Sequence, residues 1–233
     1  MDIQSAAELL ATRSAKEFGD VLKDHDDPFK DFYKSLPICI LDAVFSIGVR
    51  YTSVVNVVNR YIGTFDLTIS RTQTDATEHT IRDFLANVAK YDTVEDFSRN
   101  VLHNMQRTSS RNGILKAEAC REIAQVCQKH GINTLRDFND YADKAVLDKD
   151  IKSVRGQSSG IMLKYLYMLA GDENRAKPDR HIVRFIKETC ALQKLTDGDA
   201  QVIMARAVEI LKPEYPNITV RFLDSLIWEA QRR

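Results

Sequence analysis

The sequence predicts an all-α protein, and three observations carry that prediction. Apolar residues recur at helical spacing along almost the whole chain, strand-like alternation is nearly absent, and Pro, Gly and capping residues break the stripes at short intervals. The 233 residues suffice for one domain or two small ones, and 44% apolar with 28% charged residues is the balance of a soluble globular chain. No run approaches eighteen apolar residues, so no membrane partner is expected. The opening stretch MDIQSAAELLATRSAKEF has acidic residues and no long apolar core, so a cytoplasmic location is expected rather than secretion.

The elements follow in order. Pro28 and Pro37 bracket FKDFYKSL. Val54, Val55, Val58, Tyr61 and Ile62 form a helical stripe, and Ile81, Phe84, Leu85, Val88 and Ala89 form the next. Between them FDLTISRTQT has a short β-like flavour and is read as loop. Thr93, with Asp96 three residues on, caps a further apolar run. Gly131 in KHGIN ends a helix and Thr134 opens another. Ala200, Ile203, Met204, Ala207, Val208 and Leu211 repeat the stripe; KPEYP stops it, and Thr219 caps a last helix bearing Val220, Leu223, Ile227 and Ala230. This makes roughly ten helices with short connections, no flexible linker and no internal repeat, which suits two helical lobes rather than two tethered domains. The cysteines, Cys39, Cys120, Cys127 and Cys190, fit no zinc or iron–sulfur spacing, so buried reduced thiols are expected, and no metal or cofactor.

A net charge of zero hides an asymmetry. Residues 1–31 carry four basic and eight acidic side chains, whereas residues 149–187 carry nine basic and four acidic ones. A polyanion would sit on the second segment; a solvated basic face is the plainer reading. Within it, IKSVRGQSSGIMLKYLYML describes a short helix, a bend at Gly156 and a second helix with Met162, Leu166 and Leu169 on its apolar face. Ser158 or Ser159 can cap that helix, and its N-terminal N–H groups would favour an anion flanked by Lys152 and Arg155. The same residues suit a simple helix corner. Some twenty residues on, Asp179 follows Pro178 at the mouth of RHIVRFI, where a carboxylate suits an N-cap. One helix out and one loop back would return it near the bend.

At these residues the chain resembles the helix-hairpin-helix DNA glycosylases of the endonuclease III superfamily. Their pattern is a hairpin, a helix of about fifteen residues, then Asp-x-His-[Ile/Val]-x-Arg, here Asp179-Arg180-His181-Ile182-Val183-Arg184. LDAVFSIGVRYTSVVNVVNRYI, NGILKAEACREIAQVCQKHG and VRFLDSLIWEAQRR are similar to other helices of the family in the same order, and the resemblance spans residues 38–230. Departures are visible. Arg155-Gly156-Gln157-Ser158 keeps the first hairpin glycine and replaces the second with Ser158. The slot of the Schiff-base lysine holds Gly160, and Lys164, one turn further, reads as a surface lysine. The glutamine that fills the gap left by an extruded base is replaced near Gly48, with Arg50 or Tyr51 available for that role. The C-terminal cysteine cluster of iron–sulfur members is absent.

The resemblance implies an endonuclease III-like fold with a cleft between two lobes. The central lobe is 38–176, with the helix-hairpin-helix at 148–170, and the other combines 1–37 with 177–233. It implies a monomeric, monofunctional base-excision glycosylase acting on double-stranded DNA with a damaged or mismatched base, nucleoid-associated if bacterial. Asp179 would be the catalytic carboxylate. Lys152, Arg155, Gly156, Gln157, Ser158, Gly160, Arg50, Tyr51 and Arg180 would bind DNA, His181 would order the helix start, and Arg180 or Arg184 would meet an acidic partner in the opposite lobe. Two alternatives stand beside it: a non-catalytic DNA-structure-binding protein of the same fold, and an all-α protein-interaction module.

Overall fold

The computed structural model describes residues 1–23, 33–67 and 78–232. Pro28 and most of FDLTISRTQT lie outside them. The described residues are all-α, with no strand beyond an isolated bridge between Arg107 and Leu115. The helices are α1 (Ile3–Lys23), α2 (Leu36–Phe45), α3 (Tyr51–Thr64), α4 (Ile81–Val88), α5 (Val94–Phe97), α6 (Lys116–Lys129), α7 (Leu135–Asp140), α8 (Lys144–Ser153), α9 (Ile161–Ala170), α10 (Arg180–Cys190), α11 (Asp197–Leu211) and α12 (Val220–Gln231), with a π-helical segment, Ser98–Leu102, after α5. The number exceeds the expected ten because α5 and α7 are one-turn pieces with little periodicity to read. No helix of the described residues is long and apolar enough to cross a membrane.

Helix ends follow local chemistry. Thr80 and Thr134 form capping boxes with Asp83 and Asp137, each satisfying two orphan donors. Thr93 and Thr219 accept the N–H of Asp96 and Phe222. Pro37 lies in the first turn of α2, where its missing N–H costs nothing, and Gly131, at φ +72°, follows the end of α6.

The chain divides into two units. One unit holds α2–α9; all ten residues of α2 are buried, with α3, α6 and α9 packed against it. Cys39, Cys120 and Cys127 lie in this core as free thiols, and burial pushes the Cys127 thiol up to about 12, which leaves it inert. In the other, α1 packs on α10 and α11, and α12 on α10 and α11. Phe18 stacks on Phe185 with centroids 6.1 Å apart, and the Arg13 guanidinium lies 3.9 Å over the Phe185 ring.

Lys116, the first residue of α6, is buried. Its Nζ donates to the carbonyls of Phe45 (3.1 Å) and Ile47 (2.7 Å), orphan acceptors where α2 ends. This pins the turn between α2 and α3, the one that carries Arg50 and Tyr51, to α6. Burial lowers the Lys116 amine to about 8. Lys116→Met should cost about 1–3 kcal/mol, because it leaves buried carbonyls unmatched. Between about 8 and the ordinary value of 10.5 the unfolded chain binds more protons than the folded one. Wild-type stability should therefore rise with pH across that window relative to Lys116→Met. Urea unfolding of both proteins at several pH values checks this; parallel pH dependences would refute the assignment.

Candidate functional site

The bend between α8 and α9 is built from two successive turns. Gln157 N–H donates to Val154 O (2.9 Å) and Gly160 N–H to Gln157 O (3.0 Å). Gly156 (φ +88°) and Gly160 (φ +72°) take left-handed conformations that other residues adopt at a cost. Ser158 thus lies between two left-handed glycines, the second of them two residues on. The expected serine cap is not formed. Gly160 itself is the N-cap of α9, and Ser159 Oγ reaches only to 3.5 Å from the Ile161 nitrogen, because the left-handed turn separates the serines from the helix. Among the described residues the N–H groups of Ser158, Ser159, Met162 and Leu163 meet no acceptor. Ser158, Lys152 and Arg155 are exposed, whereas Gln157 is buried and shapes the bend from within.

The arms of the bend are tied together. Tyr167 Oη on α9 donates to Asp148 Oδ1 on α8 at 2.6 Å. The Lys152 side chain crosses Gly160, its Cε lying 3.0 Å from where a Cβ on that glycine would sit. An open groove lined by Ala145, Asp148, Lys149, Lys152, Ser153 and Ser158 runs along α8 to the bend. A Cβ on Gly156 would sit 2.4 Å from the Thr108 side chain. Thr108 belongs to a loop closed by Thr108 N–H to Ile114 O (2.9 Å) and Lys116 N–H to Gln106 O (2.8 Å). The loop exposes Ser109, Ser110 and Arg111. The sequence reading missed it; its signal was RTSSRNG, a polar turn with two arginines.

Arg50 and Tyr51 lie in the same unit, at the start of α3. Gly48 (φ +72°) turns the chain, Arg50 is an N-cap without a side-chain bond, and Tyr51 is 41% exposed. Behind them lies Asp42, 1% exposed. It accepts hydrogen bonds from Tyr33 Oη (2.8 Å) and Ser46 Oγ (3.0 Å), and it hydrogen-bonds Tyr165 of α9. Burial, then the nearby Asp42 charge, drives the Tyr33 and Tyr165 hydroxyls above their ordinary range, so both remain donors.

Asp179 and Arg180 lie in the other unit. Asp179 is the N-cap of α10: Oδ1 accepts the N–H of His181 (2.7 Å) and Ile182 (3.2 Å). Its Oδ2 meets no donor among the described residues, and the residue is half-buried. Arg180 is exposed, its Nε 3.3 Å from His181 Nε2, and the His181 ring meets Trp228 edge-on. Arg184 is exposed and is held by its own unit. Its guanidinium donates to Gln231 Oε1 (2.7 Å) and Gln231 O (2.8 Å), acceptors at the C-terminus of α12, where the helix dipole favours a cation. No group of three or more metal-ligating side chains occurs among the described residues.

A family model described as Domain of unknown function (DUF8548) matches residues 10–232. No curated protein and no solved structure matches the chain.

The bend makes a stability prediction. Gly156→Ala should cost more than the ~1–2 kcal/mol of a left-handed non-glycine residue, because its Cβ also collides with Thr108. Adding Thr108→Gly should recover the collision and leave the backbone strain. Thermal unfolding of the single and double variants checks this; equal losses would show that the loop does not rest on the bend.

Proposed function

The chain belongs to the DUF8548 family, and we propose that it is a DNA glycosylase that hydrolyses the N-glycosidic bond of a damaged or mismatched base. The observation that carries the reading is Asp179: one carboxylate oxygen is fixed by the start of α10 while the other is left unengaged. On this reading α8, the bend and α9 are a helix-hairpin-helix motif and the fold is endonuclease III-like. The left-handed glycines, the four unengaged N–H groups and the flanking Lys152 and Arg155 support a phosphate seat there.

The chemistry follows from these residues. The target base leaves the stack, at a few kcal/mol that a damaged or mismatched pair lowers. Asp179 stabilises positive charge developing on the sugar and orients or deprotonates the attacking water. Its Oδ1 bonds hold it still, and Oδ2 faces the reaction. Gly160 offers no amine, so the reaction ends at an abasic site. A non-catalytic DNA-binding protein is the second reading, favoured by one fact: capping α10 already accounts for an aspartate at 179.

A panel of duplexes with single lesions, scored for abasic sites, tests the activity. Asp179→Asn keeps an Oδ1 acceptor for the cap but loses the charge; it should abolish excision while melting and duplex affinity stay near wild type. Excision by the variant would remove Asp179 from the mechanism. Borohydride should trap no covalent adduct; an adduct would point to Lys152, whose side chain crosses Gly160.

Salt dependence tests the phosphate seat separately. Lys152→Ala and Arg155→Ala should each weaken damaged and undamaged duplex alike and flatten the salt slope by about one unit per lost contact. Wild-type slopes in both would remove the bend from DNA binding and favour a protein-interaction module.

A further inference from the structure

We propose that Asp224, on α12, is a positioning residue for Asp179: it holds the backbone strap that delivers Asp179 to the start of α10. The proposal rests on the glycosylase reading for its catalytic meaning, but its geometry stands apart from that reading.

Residues 172–179 run over the unit of α1 and α10–α12 as a strap with four fastenings. Arg221 N–H donates to Glu173 O (3.1 Å), and Gln201 Nε2 to Asn174 O (3.0 Å). Ala176 N–H donates to Gln201 Oε1 (2.9 Å), and Lys177 N–H to Asp224 Oδ1 (3.0 Å). The last fastening lies two residues before Asp179. Between them Pro178 has a fixed φ, and Asp179 N–H turns back onto Lys177 O at 2.6 Å. Little freedom therefore remains between the Asp224 carboxyl and the Asp179 carboxylate. Asp224 is 5% exposed, too enclosed to meet a substrate, so its influence must pass through the strap.

The charge arrangement supports the same role. Burial, opposed by the Lys177 N–H and added to by the Asp179 charge, pushes the Asp224 carboxyl up to about 8; Lys177 and Arg221 act against the rise. Of the elements packed on α12, α10 presents His181 beside Trp228, and α11 presents the uncharged Gln201 to the strap. At neutral pH Asp224 holds the strap without adding negative charge beside Asp179. Above about 8 it ionises and adds a negative charge near Asp179. For stability the sign is the same. The folded value is raised above the ordinary 3.8, so the contribution is present at low pH and is lost as pH rises towards about 8.

The test measures single-turnover excision at saturating enzyme across roughly pH 6–9.5 for wild type, Asp224→Asn and Asp224→Leu, with amide exchange at Lys177 and His181. Wild-type rates should change with pH across the Asp224 transition, as the charge near Asp179 changes. Asp224→Asn keeps the acceptor without the charge and should hold its neutral-pH rate through that range. Asp224→Leu should lose on the order of 10²-fold in rate, as for a misplaced catalytic group, with duplex affinity unchanged. It should also speed exchange at both amides, whereas Asp224→Asn should not. The same alkaline change retained in Asp224→Asn, or wild-type rate and protection in Asp224→Leu, overturns the proposal. If wild type excises no base, the glycosylase reading fails by itself and exchange decides: lost protection at both amides in Asp224→Leu upholds the strap, and retained protection at either overturns it.

Discussion

The unit that carries the bend between α8 and α9 depends on one buried carboxylate. Asp42 sits in the middle of α2, the helix around which α3, α6 and α9 pack. Removing such a group from water is costly unless hydrogen bonds replace its hydration. The hydroxyls of Tyr33, Ser46 and Tyr165 supply them. Tyr33 comes from the chain entering α2, Ser46 from the turn leaving it and Tyr165 from α9, the helix after the bend. The same carboxylate therefore registers α9 against the turn of Arg50 and Tyr51. An apolar contact permits sliding; three hydroxyls converging on two oxygens do not. Lys116 then fixes that turn from the other side.

Asp224 is the opposite solution to the same problem. Asp42 is ringed by hydroxyl donors, whereas Asp224 receives one backbone N–H and lies near a second carboxylate. A group so placed escapes the cost of burial by taking a proton. One unit thus holds a carboxylate with three donors arranged around it, and the other holds one that is neutral at ordinary pH. Only the second can change the field at a neighbouring aspartate when pH changes.

What was legible in the sequence was what local chemistry decides. Thr93, Thr134 and Thr219 cap helices because a hydroxyl and an N–H three residues away are neighbours in any helix start. Asp179 as an N-cap follows from the same rule. The serine cap of α9 failed because two residues outside the helix compete with a glycine whose left-handed turn ends the contest. Thr108 and Asp224 were not legible, since Gly156 and Lys177, their partners, lie tens of residues away, and neither was the tie from Asp42 to Tyr165. A trace existed for Asp42: it is the one charged residue in LPICILDAVF, and an aspartate within so apolar a run must find donors inside the protein. Asp224 left none, because LDSLIW looks like an ordinary amphipathic helix.

Capping α10 accounts for Asp179 by itself, yet it does not exclude the proposed catalytic role. Two N–H groups on Oδ1 hold the side chain in place, which is what a carboxylate needs to stabilise charge without reorganising. A cap needs only one oxygen, so the second is available at no loss to the helix. An aspartate tied at both oxygens would serve the fold alone, and one tied at neither would lose entropy on meeting a substrate. The distinction between a structural and a catalytic aspartate therefore reduces to what approaches Oδ2. Asparagine at 179 preserves the cap while removing that oxygen's charge, and so separates the two roles within one side chain.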